Sequence, residues 1–234
     1  PEIDAAFDGG LCTGELGLVL APTNRGKSQM VTVFAGEAIR RGDPVLIFSL
    51  EMSLARTQQR LDRNLTGMTK QQIRKDMSKF RRRLSAAVPD PSLVKVMAYP
   101  RKSVGLSTVR ERIEEAKAEW QRPFLFIIDY MQLLRPGKDG KRYEQISDMA
   151  GELQGMMQEY DIAGWSPYQT NREAEKNSDG HVDLSMSGES YEVQQHVDVT
   201  LALCQTEKQK KRNEMSVHTA KARDTGYGVQ PMKT

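Results

Sequence analysis

The residues of this chain that could do chemistry begin in one short loop. Ala21, Pro22, Thr23, Asn24, Arg25, Gly26, Lys27 and Ser28 match the pattern G-x-x-x-x-G-K-[ST] at every fixed position but the first, where Ala21 stands in place of glycine. Each fixed residue has a physical task. Gly26 lets the backbone curl so that successive N–H groups point at β- and γ-phosphates, and the positive end of the following helix adds to their pull. Lys27 brings a point charge to the same oxygens, and Ser28 offers a hydroxyl to a Mg2+ ion bridging them. Arg25 puts a second cation in the loop, for phosphate or for solvent. The set reads as a site for ATP and Mg2+; the alternative is a strand–turn–helix with an incidental lysine.

Two carboxylates stand at the ends of apolar runs. Residues 124–129, Phe-Leu-Phe-Ile-Ile-Asp, end in Asp129, where a carboxylate beside a phosphate loop holds Mg2+ through water. The same Asp could merely cap a turn. Residues 44–51 end in Glu51, placed to polarise the water that attacks a γ-phosphate, or else to supply negative charge to the helix that follows.

Elements must position these groups, and the hydrophobic pattern supplies them. Residues 16–21, 44–49, 93–98, 124–129, 162–169 and 197–204 read as strands, several apolar on both faces as buried parallel strands are. Between them, Met30, Val31, Phe34, Ala35, Ala38 and Ile39 recur at helical spacing. So do Leu106, Val109, Ile113, Ala116 and Trp120, and a third stripe runs from Ile146 through Met149, Leu153, Met156 and Met157 to Tyr160. Thr108 and Glu111 suggest a capping box opening the second helix. Strands alternating with helices make the class α/β with a mainly parallel sheet. Pro167, unable to donate to a ladder, is expected to stop its strand at or before Ser166.

Composition narrows the function classes. With 234 residues the chain can bury a large core, and a formal charge of +3 excludes a surface that is basic throughout, so any polyanion site is local. Two cysteines and three histidines make neither a disulfide framework nor a zinc cluster, and reduced, cytoplasmic chemistry is the default. No apolar run approaches membrane-spanning length. Three polar excursions interrupt the pattern: 56–88, 172–192 and 207–214. The first holds ten Lys and Arg against Asp62 and Asp76, a net +8; polar insertions of such length tend to be mobile and functional.

The order of the motifs resembles the DnaB family of replicative helicases. Gly14-Glu-Leu, Phe48-Ser-Leu-Glu-Met52, Ile128-Asp-Tyr-Met-Gln-Leu-Leu134, Arg142-Tyr-Glu-Gln-Ile146 and Gln169-Thr-Asn-Arg-Glu173 carry the resemblance, which runs from Gly9 to Gly228. The Ser-Leu-Glu-Met and Asp-Tyr-Met-Gln-Leu pair separates it from other phosphate-loop ATPases, and residues 60–64 and 94–100 look closest to phage-encoded members. The resemblance implies one RecA-like ATPase domain over residues 1–234 with a C-terminal β-hairpin, the family's N-terminal domain and linker helix lying outside this chain. It implies ATP–Mg2+ on Lys27, Ser28 and Asp129, Glu51 as catalytic base, and Gln169 as a sensor between γ-phosphate and DNA loops. Lys221 and Arg223 resemble the hairpin that carries a finger into a neighbouring subunit's site, so hydrolysis would depend on assembly.

The implied partners are single-stranded DNA, other copies in a homohexameric ring, and a primase or helicase loader, with movement 5′ to 3′ and no membrane. With little chain ahead of Gly9, the piece alone is expected to be monomeric or weakly associated. DNA contacts are expected from the polar loops after Asp129 and around Arg172: Arg135, Lys138, Lys141, Arg172, Ser187 and Gly188. Residues 184–190 stand where the family has a DNA-facing loop but hold no arginine, leaving backbone N–H groups and hydroxyls to meet phosphate. In this family the basic segment 56–88 lies outside the channel, which makes it a solvated helix pair or a surface for another protein as readily as a DNA surface. Two other readings use the same core: a RecA/RadA-type recombinase, and a nucleotide-dependent switch or scaffold that keeps Lys27 without needing Glu51.

Overall fold

The computed structural model describes residues 10–169, 188–212, 214–222 and 232–233. The chain runs β1 (Leu16–Ala21), α1 (Lys27–Arg41), β2 (Val45–Ser49), α2 (Leu54–Thr66), α3 (Lys70–Lys75), α4 (Met77–Ala87), β3 (Val94–Ala98), α5 (Leu106–Trp120) and β4 (Leu125–Asp129). It continues through α6 (Arg142–Tyr160), β5 (Ala163–Gln169), α7 (Gly188–His196), β6 (Val199–Cys204), α8 (Glu207–Lys211), β7 (Ser216–Ala222) and β8 (Met232–Lys233). Short 3-10 turns precede β3 and follow β4. One sheet of order β3-β2-β4-β5-β1-β6-β7-β8 joins all the strands. The first six in that order pair in parallel, and β7 and β8 close the edge antiparallel, in agreement with the expected mainly parallel sheet.

Strand residues alternate between two cores because successive side chains point to opposite faces. Leu16, Leu18, Leu20, Leu46, Phe48, Phe126 and Ile128 meet α5 and α6 through Val109, Ile113, Leu153 and Met157. Val19, Ala21, Val45, Ile47 and Ile127 meet α1 and α2 through Val31, Ala35, Ile39, Leu61 and Leu65. The central register is fixed by a close approach: a Cβ on Gly17 would lie 2.4 Å from the Trp165 ring, so the indole of β5 lies over β1 only because position 17 has no side chain.

Four expectations change. The strand through Pro167 runs on to Gln169. Backbone N–H groups alternate sides along a strand, and the Gln169 N–H faces Gln132 on the β4 side. Pro167, two residues earlier, faces that same side, where β4 pairing ends at Ile127 and Trp165 and the Ser166 hydroxyl donates to the Ile128 carbonyl instead, while β5 stays paired with β1 up to Gln169. Next, α5 starts at Leu106 behind Gly105, and no side chain caps it; Thr108 lies within the helix and opens no capping box. The basic segment 56–88 is ordered, folding as three helices with Leu61, Leu65 and Met68 buried. Finally, the expected DNA-facing loop 184–190 is helical over its last residues, since Gly188 opens α7.

Candidate active site

Four strands that carry expected site residues end at one edge of the sheet, the carboxyl edge, where open α/β sheets bind ligands. β1 delivers the phosphate loop, β2 delivers Glu51, β4 ends in Asp129 and β5 ends in Gln169. The tips are tied to one another: Leu50 N–H donates to the Asp129 carbonyl at 2.8 Å, and Tyr99 N–H to the Ser49 carbonyl at 2.9 Å.

The loop curls through two left-handed residues, Asn24 at φ 59° and Gly26 at φ 82°. Such a turn makes a concavity of N–H groups that suits an anion, and α1 begins at Lys27 with its first helical bond, Met30 N–H to the Gly26 carbonyl, at 2.9 Å. Gly26 is favoured by its backbone conformation, and its surroundings are tight. A side chain would be strained at that φ, and a Cβ would meet Met215 at 3.2 Å. Lys27 is only 8% exposed, and its ammonium donates to the loop carbonyls of Ala21 at 2.8 Å and Pro22 at 2.6 Å. The half-buried Arg25 guanidinium donates to Gln205 Oε1 at 3.1 Å.

Ser28 and Asp129 meet across the loop, the Ser28 hydroxyl donating to Asp129 Oδ1 at 3.1 Å. Asp129 is 5% exposed, and its carboxyl is pushed up to about 6. Burial is the largest cause, and the Glu51 charge adds to it; the Ser28 hydrogen bond, Arg60 and Lys27 oppose it. A hydroxyl and a hard carboxylate oxygen side by side suit Mg2+, which keeps its waters and takes few protein ligands. Among the described residues no group of three or more His, Cys, Asp or Glu could hold a metal by itself.

Glu51 stands more open. Its side chain is 37% exposed and pairs with Arg101 at 3.6 Å, above the buried Asp129. Gln169 bridges toward the loop, its Nε2 donating to Thr23 Oγ1 at 2.9 Å. Its backbone is held by Gln132, whose Oε1 accepts from the Gln169 N–H at 2.9 Å. Thus Lys27, Ser28, Asp129, Glu51 and Gln169 share one edge of the sheet.

Other expected residues fall elsewhere. Arg135, Lys138 and Lys141 lie in the exposed connection between β4 and α6, beyond the same edge, where the Arg135 N–H donates to Val104 and Lys141 precedes the first turn of α6. Lys221 sits on β7, its ammonium donating to the Val197 carbonyl at 2.7 Å and to that of Gln194. Arg172, Ser187 and Arg223 lie outside the described residues, as does the rest of the expected hairpin up to position 231.

Sequence reasoning missed two contributors. Arg60, counted among the cations of the basic run, turns inward from α2 to 4.0 Å from Asp129 Oδ2, its side chain 31% exposed. It shares a narrow pocket with Thr32, Met52, Thr57 and Asp129. Its signal was its place in α2: with Thr57, Leu61 and Leu65 it falls on the buried stripe at i, i+3 and i+4 spacings. Gln132 gave no signal beyond its place in the motif after Asp129.

Comparison with known proteins was made on both sequence and structure. Over 201 residues the chain is 26% identical to the replicative DNA helicase DnaB of Helicobacter pylori strain 26695, covering 84% of this chain and 41% of that protein. It is 26% identical over 214 residues to the DnaB-like replicative helicase of Enterobacteria phage T4, covering 85% and 44%. The chain thus spans less than half the length of these curated relatives. Among solved structures, a DnaB-like replicative helicase studied for its interactions with primase superposes with a TM-score of 0.85 and 25% identity, over 99% of this chain and 57% of that one. A solved ATPase domain gives the same score and identity while covering 84% of its own chain. The profile of the DnaB-like helicase C terminal domain matches residues 1–233, nearly end to end, and the chain belongs to that family.

Proposed function

We infer that the chain is the ATP-hydrolysing motor of a ring-forming replicative DNA helicase. The observation that carries this reading is the meeting of Ser28 with Asp129 at 3.1 Å at one edge of the sheet, with Glu51 above them and Gln169 reaching the phosphate loop. Mg2+, when bound, would be held by this chain through Ser28 and Asp129 and would supply charge stabilisation to the phosphate oxygens. Everything else falls to the chain. Lys27 exchanges its loop carbonyls for phosphate oxygens, and the N–H groups from Asn24 to Ser28 cradle the same group. The Ser28 hydroxyl would be the chain's direct ligand to the ion, and Asp129 would hold it through water. Glu51, exposed enough to meet solvent, takes the proton of the attacking water.

Gln169 links the two halves of the task. Its side chain touches Thr23 of the phosphate loop, and its backbone leads directly into the segment around Arg172, proposed here to face DNA together with Arg135, Lys138, Lys141, Ser187 and Gly188. Arg223 is the proposed finger into the neighbouring subunit of a hexameric ring. Lys221, with its ammonium on the carbonyls at the end of α7, anchors the base of that arm. Single-stranded DNA, a primase and a helicase loader are the partners that fit this reading, and a cytoplasmic replication machine its setting. Among the described residues no helix is long and apolar enough to cross a membrane.

The test is Glu51→Gln in the assembled protein, read by DNA-stimulated ATP turnover and by binding of a fluorescent ATP analogue. Turnover should fall roughly 10²- to 10⁴-fold while nucleotide affinity stays within about twofold. A variant that still hydrolyses ATP at the parental rate would remove Glu51 from the mechanism. On forked DNA the parent should unwind the duplex; strand exchange without unwinding would favour a recombinase.

A further inference from the structure

The helices α3 and α4 hold a dense positive charge that the motor reading leaves unused. In α4, Phe80, Leu84 and Ala87 are the half-buried positions, at i, i+4 and i+7. At about 100° per residue Arg82 then stands opposite them, with Lys79 and Arg81 on the two flanks. Lys70, Arg74 and Lys75 extend the exposed row through α3. None of these six forms an ion pair among the described residues. The two acids of the segment do little to offset them: Asp76 uses its carboxylate to cap α4 through the Lys79 N–H at 2.8 Å, and Asp62 is half-buried on α2. The segment's other cations include two with internal partners, Arg60 with Asp129 and Arg83 with the Thr66 carbonyl at 3.0 Å. The α3–α4 surface therefore holds its cations apart from any fold-stabilising partner, although the whole chain is only +3.

Its position makes this a separate site. Arg40 near the end of α1 donates to the Asn64 carbonyl near the end of α2, and Arg83 of α4 reaches Thr66. Both contacts lie at the end of α1 remote from Lys27, about 22 Å along a helix of 15 residues. The surface is thus at the amino edge of the sheet, opposite the phosphate loop and the Arg135–Lys141 connection.

We propose that the exposed cations of α3 and α4 form a second nucleic-acid site, on the outside of the motor, that binds phosphate backbone. The chemistry favours a polyphosphate. Lysines and arginines spread over two successive helices match a repeating line of single negative charges, and binding releases the condensed counterions of that line. Phe80 is half-buried against the fold and offers no open ring for base stacking, so the site reads charge without sequence and takes single strands and duplexes alike. This site does not depend on the nucleotide site.

The experiment is fluorescence anisotropy of the chain with labelled oligonucleotides of about 30 nucleotides, single-stranded and duplex, without nucleotide, from about 50 to 200 mM salt. The variants are the triple Lys75→Glu, Lys79→Glu, Arg82→Glu and its milder Gln counterpart. Both should weaken binding, the Glu set at least tenfold at about 100 mM salt, and the Gln set should flatten the slope of log K against log salt by about 2 to 3. Thermal midpoint and ATP-analogue binding should stay parental. A Lys27→Ala chain should bind the oligonucleotides as the parent does, which separates this site from the motor reading. Unchanged affinity in the charge variants overturns the proposal. So does a parent that ignores the oligonucleotides or prefers polyglutamate of equal charge, since the surface would then belong to an acidic protein.

Discussion

The carboxyl edge of the sheet and the α3–α4 surface both concentrate charge, and they treat it in opposite ways. At the edge each charged or polar side chain is matched within the fold: Lys27 with loop carbonyls, Ser28 and Arg60 with Asp129, Glu51 with Arg101, Gln169 with Thr23. On α3 and α4 the cations other than Arg83 face water singly. An internally matched cluster built around the buried Lys27 and Asp129 is preorganised for one ligand geometry and is screened less by salt; an exposed row of cations attracts polyanions and fades as salt rises. On the proposed reading, one edge would sense the state of a single γ-phosphate, whereas the other surface would only register that a phosphate chain is near.

The comparison breaks most visibly at Asp129. Burial raises its carboxyl from 3.8 to about 6, so the folded state favours the protonated acid. That preference stabilises the fold fully below about pH 4 and is lost as pH rises through about 6, leaving a carboxylate held at a cost of up to roughly 3 kcal/mol at neutral pH. Asp129→Asn keeps an oxygen for the Ser28 hydroxyl and removes that cost. We expect Mg2+-dependent turnover to fall at least about 10²-fold while the nucleotide-free protein gains about 1–2 kcal/mol at pH 7.5. In denaturant titrations the gain should vanish near pH 4. A variant less stable than the parent at pH 7.5 would show that Asp129 is not held at a cost.

Arg60 gives the next largest effect, because it belongs by sequence to the basic run and by geometry to the edge. Its guanidinium lies beside the oxygen of Asp129 that Ser28 does not use. Arg60→Met removes a positive charge next to the place proposed for Mg2+, so the half-saturating Mg2+ for binding of an ATP analogue should drop several-fold at about pH 8, where Asp129 is ionised in either form. Near pH 6 the proton competes for Asp129 and the gain should shrink. As a half-open pair, its loss should cost the nucleotide-free fold less than about 1 kcal/mol. If Arg60 acted only as another surface cation, the Mg2+ titration would not move.

What could be read from the sequence follows the same division. Strand positions were legible because a short run apolar on both faces suits a strand covered by helices above and below, and the loop was legible because its fixed residues are adjacent in sequence. The meeting of Glu51, Asp129 and Gln169 followed from their places just beyond strand ends. Arg60 was hidden because a cation that turns inward to Asp129 has the same letter as the six other arginines of the run, which do not. Pro167 misled because the cost of a missing donor depends on which neighbour the N–H would face, and that is a property of the sheet. Thr108 misled for a related reason: a capping pair is local, but where α5 begins is set by packing of Leu106 and Val109 against the core.

The smallest expected effect isolates how the edge is held in shape. β5 loses its β4 partner after Trp165, yet Gln169 must still aim at Thr23 four residues later. Gln132 replaces the missing ladder by accepting the Gln169 N–H at 2.9 Å. Gln132→Ala leaves that N–H to solvent, since Gln169 is only half-buried, and should cost about 1 kcal/mol of stability. Neither Lys27 nor Glu51 touches Gln132, so basal ATP turnover should stay parental. Stimulation by single-stranded DNA should fall by about two- to fivefold, because roughly 1 kcal/mol of misalignment at Gln169 is a factor of that size in coupling. Gln169→Ala should abolish the stimulation altogether. Equal losses in the two variants would mean that Gln132 meets the nucleotide or the DNA itself, and full stimulation in Gln132→Ala would mean that β1 alone aligns the end of β5.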